Sequence, residues 1–333
     1  MIYLPTILTS GIYYSLLAQN PHINAIRYVR ISPTGKYAAS CSDNVLCIWS
    51  LTEKKVLHTF QESTSNISFG TDELLYKVEM QGKKCVVSQI EVGSGSKKTI
   101  FEKENLTNIE LSPKANYLAA KLDGYLFVAD LRTGQSIEKF RSYPSMASST
   151  DLFFSYDEKY LYQVSNLQVF NRFIVENGQK DWEMNKPLND KLMIKTICNI
   201  REKCFIAGKL SLTDKNAYNA YVFGENKNQL SAWNDNDFEV FKAIFNPATQ
   251  NEVILASSSN EIGYTVNVDG VIFKFLKTKI ATKDFLRDID LSQDGKYLIV
   301  ASSSGYGATQ QGKKGYAKIE VYEWGSRKKL MEF

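Results

Sequence analysis

HINAIRYVRISPTGKYAASCSDNVLCIWSLTEKKVLHTF, residues His22 to Phe60, decides the fold. Apolar side chains alternate through Ile26, Val29 and Ile31, and Ser32-Pro33-Thr34-Gly35-Lys36 then supplies a tight turn. Tyr37 restarts a strand that runs to Cys41, Ser42-Asp43 turns the chain again, and Ile48-Trp49 lies on a third strand. Val56-Leu57-His58-Thr59-Phe60 is a fourth strand with polar flanks. Period-two alternation in short runs bounded by Pro, Gly, Ser and Asp is the signature of antiparallel strands joined by hairpins. Pro and Gly suit the turn backbone, and the tyrosine resumes a half-buried strand.

The turn recurs along the chain. It returns as Leu111-Ser112-Pro113-Lys114-Ala115-Asn116-Tyr117, as Phe154-Ser155-Tyr156-Asp157-Glu158-Lys159-Tyr160, as Phe245-Asn246-Pro247, and as Leu291-Ser292-Gln293-Asp294-Gly295-Lys296-Tyr297. Two further units, Asn66 to Phe101 and Leu192 to Trp233, keep the strand rhythm without the anchor. A period of about 40–50 residues marks a propeller. The expected fold is therefore all-β, a β-propeller of about seven four-stranded antiparallel blades, with six or eight as alternatives. The blades fall at roughly 22–61, 62–102, 103–141, 147–185, 190–234, 237–278 and 284–333. No linker divides them, so residues 20–333 read as one domain.

His22, Ser40, Asp43 and Trp49, at their spacing in the first unit, resemble the WD repeat. The resemblance extends over nearly the whole chain after residue 20, in degenerate form: the third unit keeps Asp123 but has Ala129-Asp130 where the family has Trp-Asp. It implies a structural tetrad in which Asp43 accepts from His22, His22 orients a serine hydroxyl, and that hydroxyl meets the Trp49 indole N–H. The same residue types would suit a Ser-His-Asp hydrolase, but the repeat explains the spacing. The resemblance further implies a non-catalytic scaffold that binds a protein or peptide on the loop face or in the central channel. Its rival is a propeller enzyme or small-ligand binder, hydrolase- or lactonase-like, in the channel mouth. That rival requires acids or histidines converging on the axis, and the sequence reading finds no such set. Asp288/Asp290 and Asp235/Asp237 are read as solvated charges.

Composition narrows the field. Hydrophobic residues at 44% provide a core, 19 Tyr and 18 Phe favour strands, and only 2 His weaken metal or acid-base proposals. The net charge of +4 is scattered, and so does not suggest a nucleic-acid face. No metal or cofactor is expected. Gly307 to Lys314 approaches a phosphate loop, yet Lys314 stands where a hydroxyl is needed and a strand follows. Five cysteines form no CxxC motif, and buried free thiols are the expectation over hairpin disulfides.

Two segments stand outside the repeat. Residues 1–19 carry no charge and end Ser15-Leu16-Leu17-Ala18-Gln19, so they read either as a cleavable signal peptide or as a ring-closing strand. They are marginal for a membrane span, and no stable insertion is expected. A cleaved leader would mean an exported protein, and its retention a cytoplasmic one. The long loop from Ser302 to Tyr316 offers Tyr306, Gln310, Gln311, Lys313 and Lys314 as a candidate partner-binding loop. Small polar turns at Asp43-Asn44, Leu122-Asp123-Gly124, Ser165-Asn166, 214–219 and 258–261 are placed around the same mouth.

Overall fold

A computed structural model describes residues 21–22, 25–143, 151–164, 170–184, 192–200, 203–210, 220–224, 229–233, 239–249, 252–268, 272–304 and 317–333. Seven four-stranded antiparallel sheets follow one another along the chain, each with its strands in sequence order. They span 28–60, 66–104, 106–136, 151–184, 192–233, 240–281 and 285–332, which we number blades 1 to 7. Helix among the described residues is confined to one 3-10 turn, Glu138–Ser142. The C-terminal strand Lys328–Glu332 pairs with Ala317–Glu323, so blade 7 draws its outer strand from its own sequence.

The recurrent serine turn is built the same way in blades 1, 3, 4 and 7. Ser32, Ser112, Ser155 and Ser292 each accept the amide of the tyrosine five residues later on their hydroxyl oxygens, at 2.9–3.0 Å. Each serine carbonyl also accepts an amide from the third residue on, where φ is positive: Gly35 (75°), Ala115 (55°), Glu158 (62°) and Gly295 (70°). Glycine enters the left-handed region without penalty; alanine and glutamate do so here under constraint from the turn. Gly35 has a second reason, since a Cβ there would run into the Tyr297 ring of blade 7.

Apolar residues fill the space between adjacent sheets. One buried cluster joins Val29, Cys47 and Trp49 of blade 1 to Ile299, Ile319 and Val321 of blade 7, and so closes the ring. Trp182 is buried edge-on to Phe170 at 4.8 Å. Cys41, Cys47, Cys85 and Cys204 are buried free thiols. No helix among the described residues is long and apolar enough to cross a membrane.

Candidate functional site at the channel mouth

The innermost strands are Tyr28–Ile31, Asn66–Phe69, Leu106–Leu111, Asp151–Phe154, Leu192–Ile200, Val240–Phe245 and Phe285–Leu291. Side chains from all seven enclose a cavity of about 360 Å³. Its wall combines aromatic faces, among them Tyr28, Phe153 and Phe241, with a cluster of charges.

Asp288 organises that cluster. Its carboxylate accepts the Val29 amide at 2.9 Å and Arg30 at 2.7 Å, and it pairs with Lys242. Asp290 accepts the Ile31 amide at 2.9 Å, and Glu110 accepts from Asn66 at 3.2 Å. Burial pushes the Asp288 carboxyl up, but Lys242 and Arg30 outweigh it and hold the group below the usual aspartate range. Burial raises Asp290, and it pushes Glu110 up to about 7 against the pull of Arg30 and Lys242. Burial and the neighbouring Arg30 lower Lys242. With every group ionised, Glu110, Asp288 and Asp290 exceed Arg30 and Lys242 by one negative charge. The raised Glu110 and Asp290 are where a proton balances it.

This corrects the expectation that no acids converge on the axis and that Asp288/Asp290 are solvated. Asp288 is buried, and the acids come from blades 3 and 7. Asp235 and Asp237 lie outside the described residues. Among the described residues no group of three or more His, Cys, Asp or Glu is placed to hold a metal ion.

The first-blade residues come together only in part. His22 Nε2 lies 2.7 Å from Ser40 Oγ, which accepts the Trp49 indole N–H at 2.8 Å. Asp43 departs from its expected place. Its carboxylate pairs with Arg27 at 2.5 Å on a side chain 45% exposed, and it is Ser42 Oγ that sits 3.0 Å from His22 Nδ1. Ser42 precedes the turn residue and faces inward, whereas Asp43 points out to solvent. Burial, opposed by a hydrogen bond to the Ser40 backbone, lowers His22 to about 4. Ser40 has no solvent exposure, so its hydroxyl is out of reach as a nucleophile. His58 is not simply outward-facing, since its Nε2 lies 3.0 Å from the Val92 carbonyl of blade 2. Tyr306, Gln310, Gln311, Lys313 and Lys314 lie outside the described residues. So do Ser165-Asn166 and 214–219.

The family model for the WD domain, G-beta repeat, matches residues 14–50, the first three strands of blade 1 and part of the segment before it. The crystal structure of RRP9 WD40 repeats superimposes with a TM-score of 0.61 over 84% of this chain and 88% of that one, at 12% identity. The chain is a seven-bladed β-propeller whose first unit is similar to the WD repeat. At that identity the likeness to RRP9 speaks for the fold alone. Chains of solved structures that match this one number 1567, and a fold so widely used does not select a function by itself. No curated protein sequence matches the chain.

The channel cluster of this propeller was not read from the sequence, though a local signal was present. In an inner strand, alternate residues face the axis. Counting back one and three places from the apolar residue before the turn gives Arg30 and Tyr28, Glu110 and Asn108, Phe153 and Asp151, Ile244 and Lys242, Asp290 and Asp288. Among these pairs, every residue but Asn108 and Asp151 lines the cavity.

Proposed function

We propose that the protein is a non-catalytic interaction scaffold that holds a protein or peptide segment at the channel mouth. The observation that carries this reading is the axial cavity, walled by all seven innermost strands and opening among short turns. A closed ring presents such a wall already ordered, so little conformational freedom is lost on binding. The buried charges support it too, because Asp288 is spent on Arg30, Lys242 and a backbone amide. The loop bearing Tyr306, Gln310, Gln311, Lys313 and Lys314 joins the second and third strands of blade 7, as 42–45 does in blade 1. We assign it to the same rim. Affinity capture from the native cell is the test, with wild type compared against two variants, Phe241→Ala at the mouth and Lys98→Ala on an outer strand. A partner lost only from the mouth variant supports the reading, and one lost equally from both refutes it.

One observation favours the rival reading of a channel enzyme or small-ligand binder. Glu110, pushed up to about 7 inside a cavity, has the poise of a general acid or base. Buried ion networks perturb carboxyls in the same way, so the scaffold reading is preferred. If Glu110→Gln left partner capture intact but abolished a turnover measured on the purified protein, the preference would reverse.

A further inference from the structure

Among the described residues the innermost strand is bulged in four blades: in blade 3 at Asn108 and Ile109, which do not line the cavity, and in the consecutive blades 5, 6 and 7 near its mouth end. In blade 5, Ile194 and Thr196 face Gly208 and Ala207, which leaves Lys195 as the extra residue. Blade 6 inserts Phe241 between Val240 and Lys242, and blade 7 inserts Arg287 between Leu286 and Asp288. A bulge re-aims a side chain, and all three of these line the cavity. The matching position of blade 1 is Arg27, whose amide bonds the Cys41 carbonyl at 2.8 Å. Blades 5, 6, 7 and 1 thus present Lys, Phe, Arg and Arg along one continuous arc. Blade 2 has the uncharged Ser65 there, its amide on the Val78 carbonyl. Asp151, an acid at this end of blade 4, acts on Lys121.

The cations of this arc differ in how they are matched. Arg27 is paired by Asp43. Arg287 donates to the neutral Ser303 hydroxyl at 2.7 Å, and its guanidinium stands 5.5 Å from the ring centroid of Phe285, which is 54% exposed. Among the described residues, neither Lys195 nor Arg287 has a carboxylate partner. The acid nearest in sequence, Asp288, is already matched by Arg30 and Lys242. Among the described residues, two cations without a carboxylate partner therefore stand on either side of Phe241 in blade order.

We infer that the mouth receives an acidic segment of a protein partner, a carboxylate side chain set between Lys195 and Arg287 and its neighbour laid on Phe241. This rests on the scaffold reading and adds the chemistry of what the scaffold holds. A cavity of about 360 Å³ takes inserted side chains, whereas a single nucleic-acid strand needs an extended groove with a series of stacking faces.

Screening the full chain against a random octapeptide library tests the inference. Recovered peptides are expected to be enriched in Asp and Glu. Their binding, read by fluorescence anisotropy, is expected to fall at least about tenfold when Lys195→Gln and Arg287→Gln are combined. The charge-reversed pair, Lys195→Glu with Arg287→Glu, is expected to select basic peptides, and its thermal midpoint reports folding. Peptides recovered without acidic enrichment, or acidic ones indifferent to both pairs, overturn the inference and leave a peptide-binding scaffold standing. Displacement of the acidic peptides by inorganic phosphate at equal concentration also overturns it, since the arc would then be a general anion site. If no peptide is recovered, the scaffold reading fails with it.

Discussion

Ser40 Oγ serves two rings at once, His22 Nε2 and the Trp49 indole, in a place with no solvent exposure. Ser40→Ala takes the indole's acceptor away inside the core, and the expected loss is about 2 kcal/mol in urea denaturation with the slope unchanged. The ionisable residues give a second prediction, in which two groups act in opposite directions. His22 has an ordinary value of 6.5 and a folded value of about 4. Its contribution is whole above 6.5 and drains as the pH falls towards 4, because the unfolded chain then binds the extra proton. Glu110 runs the other way, from 4.5 to about 7. The folded state keeps that proton longer, so its contribution is whole below 4.5 and is lost as the pH rises through 7. Asp290, also raised by burial, adds to the Glu110 direction. Between pH 4.5 and 6.5 the slopes oppose, each at most about 1.4 kcal/mol per unit. Stability of Glu110→Gln should therefore climb with pH across this window relative to wild type, and that of His22→Gln should decline. Parallel profiles for all three proteins would rule this out.

The serine turn is the element that repeats most faithfully, and its blade 4 copy also fastens one blade to the next. Glu158, at φ 62°, accepts the Ser112 hydroxyl at 2.6 Å, the Lys114 amide at 2.7 Å and the Asn116 amide group at 2.6 Å, all in blade 3. Glu158→Ala keeps the strained backbone and removes the acceptor, with an expected cost of about 3 kcal/mol. Glu158→Gly removes the same acceptor but relieves the backbone, and should be about 1 kcal/mol less harmful. Equal losses would mean that the turn stores no strain. The turns of blades 1, 3, 4 and 7 were legible because Ser and Tyr act within six residues of one another, and the blades without that turn were legible from their strand rhythm. The channel was legible only by half. Strand alternation shows which residues face the axis, but Arg30 and Asp288 are 258 residues apart and their pairing is set by closure of the ring. The bulges at Lys195, Phe241 and Arg287 left no local mark, since none falls on a glycine or a turn motif. Asp43 misled because the sequence shows a turn acid near His22 but not which way its side chain points.

Closure is a property of the whole molecule, and among the described residues it is made without a shared strand. Blades 7 and 1 each carry four strands of their own, so the seam rests mainly on side chains, with one backbone bond from the Asp294 amide to the Pro33 carbonyl at 3.3 Å. Trp49 meets Phe333 with ring centroids 4.8 Å apart, inside the cluster that joins the two sheets. On the channel side, Asp288 and Asp290 of blade 7 accept the Val29 and Ile31 amides of blade 1, both at 2.9 Å. The two acids look alike in sequence but stand in different electrostatic positions. Asp288 is held ionised by Lys242 and Arg30, whereas Asp290 is shifted towards its neutral form by burial. Asparagine can accept an amide hydrogen in either place but cannot answer a cation. Asp288→Asn removes the carboxylate that Arg30 and Lys242 touch, leaving only Asp290 and Glu110 to balance them without direct contact, and should cost about 3 kcal/mol. Asp290→Asn should cost less than about 1 kcal/mol. Thermal and urea unfolding of the two variants distinguishes the sources of closure. A large gap between them means that charge holds the seam, and equal small losses would assign closure to the apolar cluster around Trp49 alone.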